Sequence, residues 1–197
     1  MYLAPGWILC YNDSERQANG SMEATRRLFD ENAYQWTFTA TVLQCGPNGK
    51  GSFTVVLDQT AFFPEGGGQY SDTGTLNGAS VTDAQEKDGV IFHTVSEALP
   101  VGSAVSGVID GVRRFDFMQQ HSGEHLVSGF VHAHWGFDNV GFHMGSDFVT
   151  IDFDGVLTEE QIRQIELEAN EFVWKNVPIL VTYPDAEKLN TIPYRSK

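Results

Sequence analysis

Cysteine is nearly absent. Cys10 and Cys45 are the only two in 197 residues, which excludes a multi-disulfide scaffold, and they lie too far apart to read as a metal knuckle. Positive charge is also scarce: 12 Lys and Arg stand against 26 Asp and Glu, a formal net charge of −14. That excludes nucleic-acid binding through a broad basic surface but allows a local contact. Every apolar run is interrupted by polar residues within a few positions, so neither a membrane span nor a membrane partner is expected. No basic segment precedes the apolar residues 3–9 and no small-residue cleavage pattern follows them, which argues against a secretory signal. What is present is 41% hydrophobic and 19% charged residues, enough to bury a core in one domain or two small ones. A reducing, cytoplasmic setting is expected. The 20 glycines exceed ordinary usage, and several cluster where backbone shape must matter.

Residues 1–22 show no clear period, and Gly20-Ser21-Met22 reads as an appended junction or a second start. They are expected to be a tail. From Trp36 the pattern becomes β-like, with Phe38, Ala40 and Val42 alternating with threonines. A Gly-rich turn at 45–49 leads to strands expected at 52–57, 79–85, 90–95 and 103–109, each bounded by Gly, Asp or Pro. Many short strands with tight turns suggest a small barrel over roughly 25–111. The period changes after Asp110. Asp116 is expected to cap a helix from Phe117 to about Trp135, with Gly136 as its stop. A strand at 148–153 follows, and Thr158 with Gln161 makes a capping box ahead of Ile162, Ile165, Ala169, Phe172 and Val173 at helical spacing. Pro178 ends that helix, before a strand at 179–183 and a short helix at 185–189. The class is α+β: a tail at 1–22, a Gly-rich β-barrel at 23–112 and an α+β domain at 113–197.

His121-Ser122-Gly123-Glu124-His125 carries the strongest chemical signal. On a helix, positions i and i+4 share one face, so both imidazoles can address one ion, as in half of a tetrahedral zinc site. Histidines that merely pack or meet solvent are the plain alternative, but Ser122 and Gly123 are poor choices for helix stability alone. The same run fits the H-x-x-E-H pattern of inverted zinc peptidases, in which Glu124 is the general base. His132 and His134 read as solvated or partly packed, and His93 as structural. His143, flanked by Gly141-Phe142 and Met144-Gly145, is as fit to line a site as to support one.

The second signal is FFPEGGGQYSDTG at 62–74. Gly66, Gly67 and Gly68 let backbone N–H groups converge, so a substrate can lie against the main chain. The segment lacks the lysine and following Ser or Thr of a phosphate loop, and no G-x-G-x-x-G unit opens a helix. A plain β-turn is the alternative, although bulky Phe62, Phe63 and Pro64 argue for a fixed one.

Taken together, FFPEGGGQYSDTG, then QQHSGEHLVSG, then VGFHMGSDFVTIDFD resemble the freestanding alanyl-tRNA editing proteins of the AlaX type, which are similar to the editing domains of alanyl- and threonyl-tRNA synthetase. The resemblance covers roughly residues 25–197. It implies a barrel followed by an α+β synthetase-editing zinc domain, the pocket between them, and hydrolysis in trans of the ester joining serine or glycine to the 3′ end of alanine tRNA. It implies zinc as the metal, with His121 and His125 as ligands. It also implies that Gly66, Gly67, Gly68 and Gln69 shape the amino-acid pocket, and Gln69 is nominated with Glu124 as catalytic. The family's remaining ligands come from a later C-x-x-x-H, which residues 1–197 do not contain. A chain with this end is expected to lack the C-terminal part of the domain and to hold zinc weakly.

An aminoacyl ester is activated, so its hydrolysis needs a placed water and oxyanion donors more than a strong nucleophile. No Ser-His-Asp or Cys-His pair argues for covalent catalysis. Glu124 serves either as base or as support for a ligand, support being preferred. For the tRNA acceptor end the available cations are Arg113, Arg114, Lys175, Lys188, Arg195 and Lys197. Arg113 and Arg114, at the junction, are the expected substrate contacts along with His143, and Phe62 and Phe63 the expected stacking surface. Two other readings stand beside this one: an inverted-motif metallopeptidase, and a non-catalytic tRNA-binding remnant with an incomplete metal site.

Overall fold

The computed structural model describes residues 8–10, 23–49, 51–145, 147–182, 184–189 and 191. The expectations for the rest of the 1–22 tail, and for Arg195 and Lys197, lie outside the described residues. In chain order the elements are β1 (Ile8–Cys10), β2 (Arg26–Arg27), α1 (Leu28–Glu31), β3 (Thr37–Pro47), β4 (Phe53–Leu57), β5 (Gln59–Thr60), β6 (Gly74–Leu76), β7 (Ala79–Lys87), β8 (Val90–Val95), β9 (Ala104–Ile109), α2 (Gly111–Trp135), β10 (Asn139–Met144), β11 (Val149–Phe153), α3 (Glu159–Trp174), β12 (Leu180–Thr182) and α4 (Ala186–Leu189).

Alternation builds the barrel. In β3, Phe38, Ala40 and Val42 are buried while Thr37 and Thr39 are exposed, so one face of the pleat turns inward. β9 repeats the pattern with Val105, Gly107 and Ile109 inward. Six strands close in the order β3-β4-β8-β7-β6-β9, and every ladder between neighbours is antiparallel. Closure removes the open edges that a sheet otherwise exposes. Two hairpins carry the backbone signature of type I′ turns, with positive φ at Asn77 and Gly78 and at Asp88 and Gly89, which matches the twist of the strands they join. The core holds Val55, Leu57, Phe62, Leu76, Val81, Ile91 and Val95. A Cβ on Gly107 would stand 2.1 Å from Phe38 Cε1, so the Phe38 ring occupies the space that a side chain there would need. His93 is wholly buried among these residues. Its ring bonds Thr60 Oγ1 at 2.9 Å and the Val55 carbonyl at 3.1 Å. Burial pushes its pKa down to about 4, so it is a neutral core residue.

α2 starts earlier than expected. Its N-cap is Asp110, whose side chain accepts from Arg113 N at 3.1 Å, so the helix begins at Gly111 and Asp116 lies inside it. The aspartate directly after β9 satisfies the first helical N–H groups, and no connecting loop is needed. Gly136, with φ 73, ends the helix. β10 was not expected as a strand, because Asn139, Gly141 and Gly145 interrupt its apolar signal; it pairs antiparallel with β11.

The chain divides into two compact units. Residues 18–156 carry the barrel, α2 and the β10–β11 hairpin. Residues 1–17 with 157–197 carry the parallel β1–β12 pair and α3, which opens on the Thr158–Gln161 capping box. No described helix is long and apolar enough to cross a membrane.

Candidate active site

The segment after β5 is held as a closed clasp. Asp72 N donates to the Phe63 carbonyl at 3.0 Å, and Phe63 N donates to Asp72 Oδ2 at 2.7 Å. Inside the clasp, Gly66 and Gln69 exchange backbone hydrogen bonds of 3.1 and 3.0 Å. Gly67 and Gly68, with φ 60 and 80, take the two central positions of a type I′-like turn. Gly68 meets a second constraint: a Cβ there would lie 2.6 Å from Phe142 Cδ1 and 2.8 Å from the Phe142 carbonyl oxygen. A Cβ on Gly67 would lie 3.6 Å from His121 Cε1, in ordinary contact. β7 steadies the clasp from the barrel side, where Glu65 N donates to the Ala84 carbonyl at 2.9 Å and Ser71 Oγ donates to Asp83 Oδ1 at 2.8 Å.

α2 turns an unusual face inward. Arg114, Glu124, Ser128 and Val131 are buried, with His121 half-buried between them. These positions recur near the helical repeat, but most are polar, so the stripe is not simply core. Arg114 Nε donates to both carboxylate oxygens of Asp72 at 2.7 Å, and its Nη2 to the Ala61 carbonyl at 2.5 Å. Two turns along the helix, His121 Nδ1 bonds Gln69 Oε1 at 2.9 Å, joining residues 52 apart in sequence. α2 therefore grips the Gly turn at two points. Since Gln69 Oε1 only accepts, His121 Nδ1–H donates to it, which leaves Nε2 as the ring nitrogen suited to an ion.

His121 and His125 stack, with ring centroids 5.0 Å apart and planes 11° apart. Phe142 of β10 lies over His121 at 5.3 Å between centroids. Glu124 is buried beside the pair. Its Oε1 accepts from Ser128 Oγ at 2.6 Å and from Asn139 Nδ2, and its Oε2 lies 3.5 Å from His125 Nδ1. The carboxylate is thus engaged on one oxygen and faces an imidazole with the other, an arrangement that orients a histidine for a metal. His121, Glu124 and His125 each bring one potential ligand atom within 4.8 Å of the others. Two imidazoles and a carboxylate gathered this closely are a donor set whose chemistry suits zinc.

Other nominated residues fall elsewhere. Arg114 is not a surface cation: it is buried and committed to Asp72, because its place on the helix turns it toward the clasp. Arg113, one residue earlier, sets its guanidinium 4.4 Å from the Phe117 ring centre. Phe62 is fully buried and Phe63 packs against the core, so neither is an exposed stacking surface. His143 is exposed, edge-on to Tyr70 with centroids 6.1 Å apart, and stands outside the His121–Glu124–His125 cluster. His132 Nδ1 approaches Asp138 Oδ1 at 3.0 Å, and His134 lies beside the Trp135 ring. Asp72, Asn139, Tyr70 and Phe142 were missed. Each depends on a contact across the fold that local spacing does not announce. Ser128 was readable, since it stands seven residues beyond His121, on the same helix face.

The family model described as "tRNA synthetases class II (A)" matches residues 30–113, which include the glycine turn and the barrel strands from β3 to β9. Similar chains are more particular. An alanine–tRNA ligase of Natronomonas pharaonis is 37% identical over 87% of this chain and 19% of its own. The alanyl-tRNA editing protein Aarsd1 of Rattus norvegicus is 35% identical over 78% of this chain and 40% of its own. The alanyl-tRNA editing protein AlaX-L of Pyrococcus horikoshii is 34% identical over 64% of this chain and 33% of its own. Over most of its own length the chain is similar both to alanine–tRNA ligases and to freestanding alanyl-tRNA editing proteins. It spans about a fifth of the ligase and two-fifths or less of these editing proteins.

Proposed function

We propose that this chain edits mischarged alanine tRNA in trans, hydrolysing the ester that joins serine or glycine to the tRNA 3′ end and releasing free amino acid and uncharged tRNA. The observation that carries the reading is the Gln69–His121 hydrogen bond, which fastens the glycine turn beside the histidine pair. In this reading residues 23–112 are the barrel domain and 113–197 the catalytic part, acting on the acceptor end in the cytoplasm.

His121 and His125 are the residues that would hold zinc, which when bound supplies positive charge to polarise the ester or its attacking water. The rest is done by the chain. Gly66, Gly67 and Gly68 let the acyl group lie against main-chain amides, which suits them to steady a developing oxyanion. Gln69 holds the proton on His121 Nδ1. Glu124 orients His125 rather than acting as the base of a peptidase, since Ser128 and Asn139 occupy one of its oxygens. Arg113 and His143 flank the path of the RNA.

Release of labelled serine and glycine from alanine tRNA, with Ala-tRNA(Ala) as comparison, tests the reading. Mischarged esters are expected to be cleaved well above their spontaneous rate, and His121→Ala to remove roughly a hundredfold or more of that activity. Decay of both mischarged esters at the spontaneous rate overturns the assignment, and peptide cleavage by the same chain would point to the metallopeptidase.

A further inference from the structure

Beside the histidine pair runs a ladder of rings. Arg113 caps Phe117 at 4.4 Å, Phe117 meets Tyr70 at 6.1 Å with planes 46° apart, and Tyr70 meets His143 edge-on at 6.1 Å. Tyr70 is 37% exposed and His143 is exposed. The ladder joins the site at two places: Tyr70 directly follows Gln69 in the chain, and Phe117 lies one helical turn before His121 on α2. Arg113, Phe117, His121 and His125 follow at successive i, i+4 steps, a gently winding strip along one side of the helix.

Resting on the editing assignment above, we propose that Tyr70 and Phe117, with Arg113 and His143 at the ends, form the stacking platform for the unpaired 3′ bases of the RNA. Three observations favour that occupant. Tyr70 and His143 are open to solvent, and Phe117 is half-buried beside them under Arg113, a mixed aromatic and cationic edge of the kind that receives unpaired bases whatever their sequence. A chain of net charge −14 is poorly suited to gripping a duplex through phosphates, whereas a single-stranded end needs few of them. Finally, the platform borders the histidine pair, so bases laid on it bring the terminal ribose toward those imidazoles. Phe62 and Phe63, being buried or packed in the core, leave this role to the ladder.

The test uses a 5′-fluorescein RNA minihelix ending in unpaired ACCA, the same minihelix made blunt, and deacylation of Ser-tRNA(Ala). The full chain should prefer the unpaired end by anisotropy. Tyr70→Ala and Phe117→Ala should each weaken binding to it about tenfold, leave binding to the blunt RNA unchanged, and raise KM more than they lower kcat. Tyr70→Phe should keep near-native affinity, since stacking needs the ring and not the hydroxyl. Equal affinity of both Ala variants and wild type for the unpaired end overturns the platform, as does an equal loss on both RNAs. A wild-type chain that neither binds these RNAs nor deacylates Ser-tRNA(Ala) overturns the editing assignment itself, and the platform with it.

Discussion

Gly67 and Gly68 share a positive φ, yet their surroundings separate them. Gly67 has ordinary contact distance to His121 Cε1, whereas Gly68 faces the Phe142 ring and carbonyl at distances no Cβ tolerates. Gly67→Ala is therefore expected to cost about 1 kcal/mol through the backbone alone. Gly68→Ala should cost roughly 3 kcal/mol, because β10 must also shift; urea unfolding of the two variants gives the comparison. His93 makes a different residue-scale prediction. Its pKa is about 4 in the fold against an ordinary 6.5, set chiefly by burial. Between those values the unfolded chain binds a proton that the folded chain does not. The stabilisation is complete above pH 6.5, declines as pH falls, and is gone below about pH 4, a total on the order of 3 kcal/mol. Urea midpoints at pH 7.5 and 4.5 should diverge more for wild type than for His93→Gln, and parallel pH profiles would refute the assignment of that slope to His93.

α2 is held twice in its first turn, by the Asp110 cap and by the Arg114–Asp72 pair, and both holds are testable. Asp110 is the N-cap, so Asp110→Ala should cost about 1 kcal/mol while Asp116→Ala stays within about 0.5 kcal/mol. Equal losses would mean that the helix starts later. The Arg114–Asp72 pair is buried on both sides. Removing either partner leaves a buried charge without its counterpart, so Arg114→Met or Asp72→Ala should each destabilise by about 3 kcal/mol or more. Their double variant should lose clearly less than the sum. The clasp that Asp72 closes also carries Gln69, so the single variants should lose deacylation per folded molecule, while a variant with a normal rate would confine the pair to stability. β10 completes the arrangement by bringing Asn139 to Glu124 and Phe142 to His121.

At the scale of the molecule, charge and core make separate predictions. With −14 formal charges, tRNA affinity should depend weakly on salt, with a log–log slope no steeper than about −2, corresponding to two or three phosphate contacts; a slope near −6 would require a basic surface unlike this composition. The barrel core is hydrophobic and contains none of the three clustered donors. A chelator should therefore leave far-ultraviolet circular dichroism unchanged while reducing deacylation. Much of this architecture was legible in the sequence. The Phe38, Ala40, Val42 alternation announces a strand because a pleat has period two, and His121 and His125 share a helix side because i and i+4 always do. The glycine run announces a tight turn for an equally local reason. The partners of these elements were not legible. Arg113 and Arg114 are chemically identical neighbours, and the roughly 100° of helix rotation between them sends one to a ring ladder and the other into a buried ion pair. Gln69 and His121, 52 positions apart, meet because barrel closure delivers Ile109 and then α2 beside the clasp. Local spacing determines which face a side chain takes; only the tertiary packing decides what stands opposite it, and here that contact joins the glycine turn to the histidine helix.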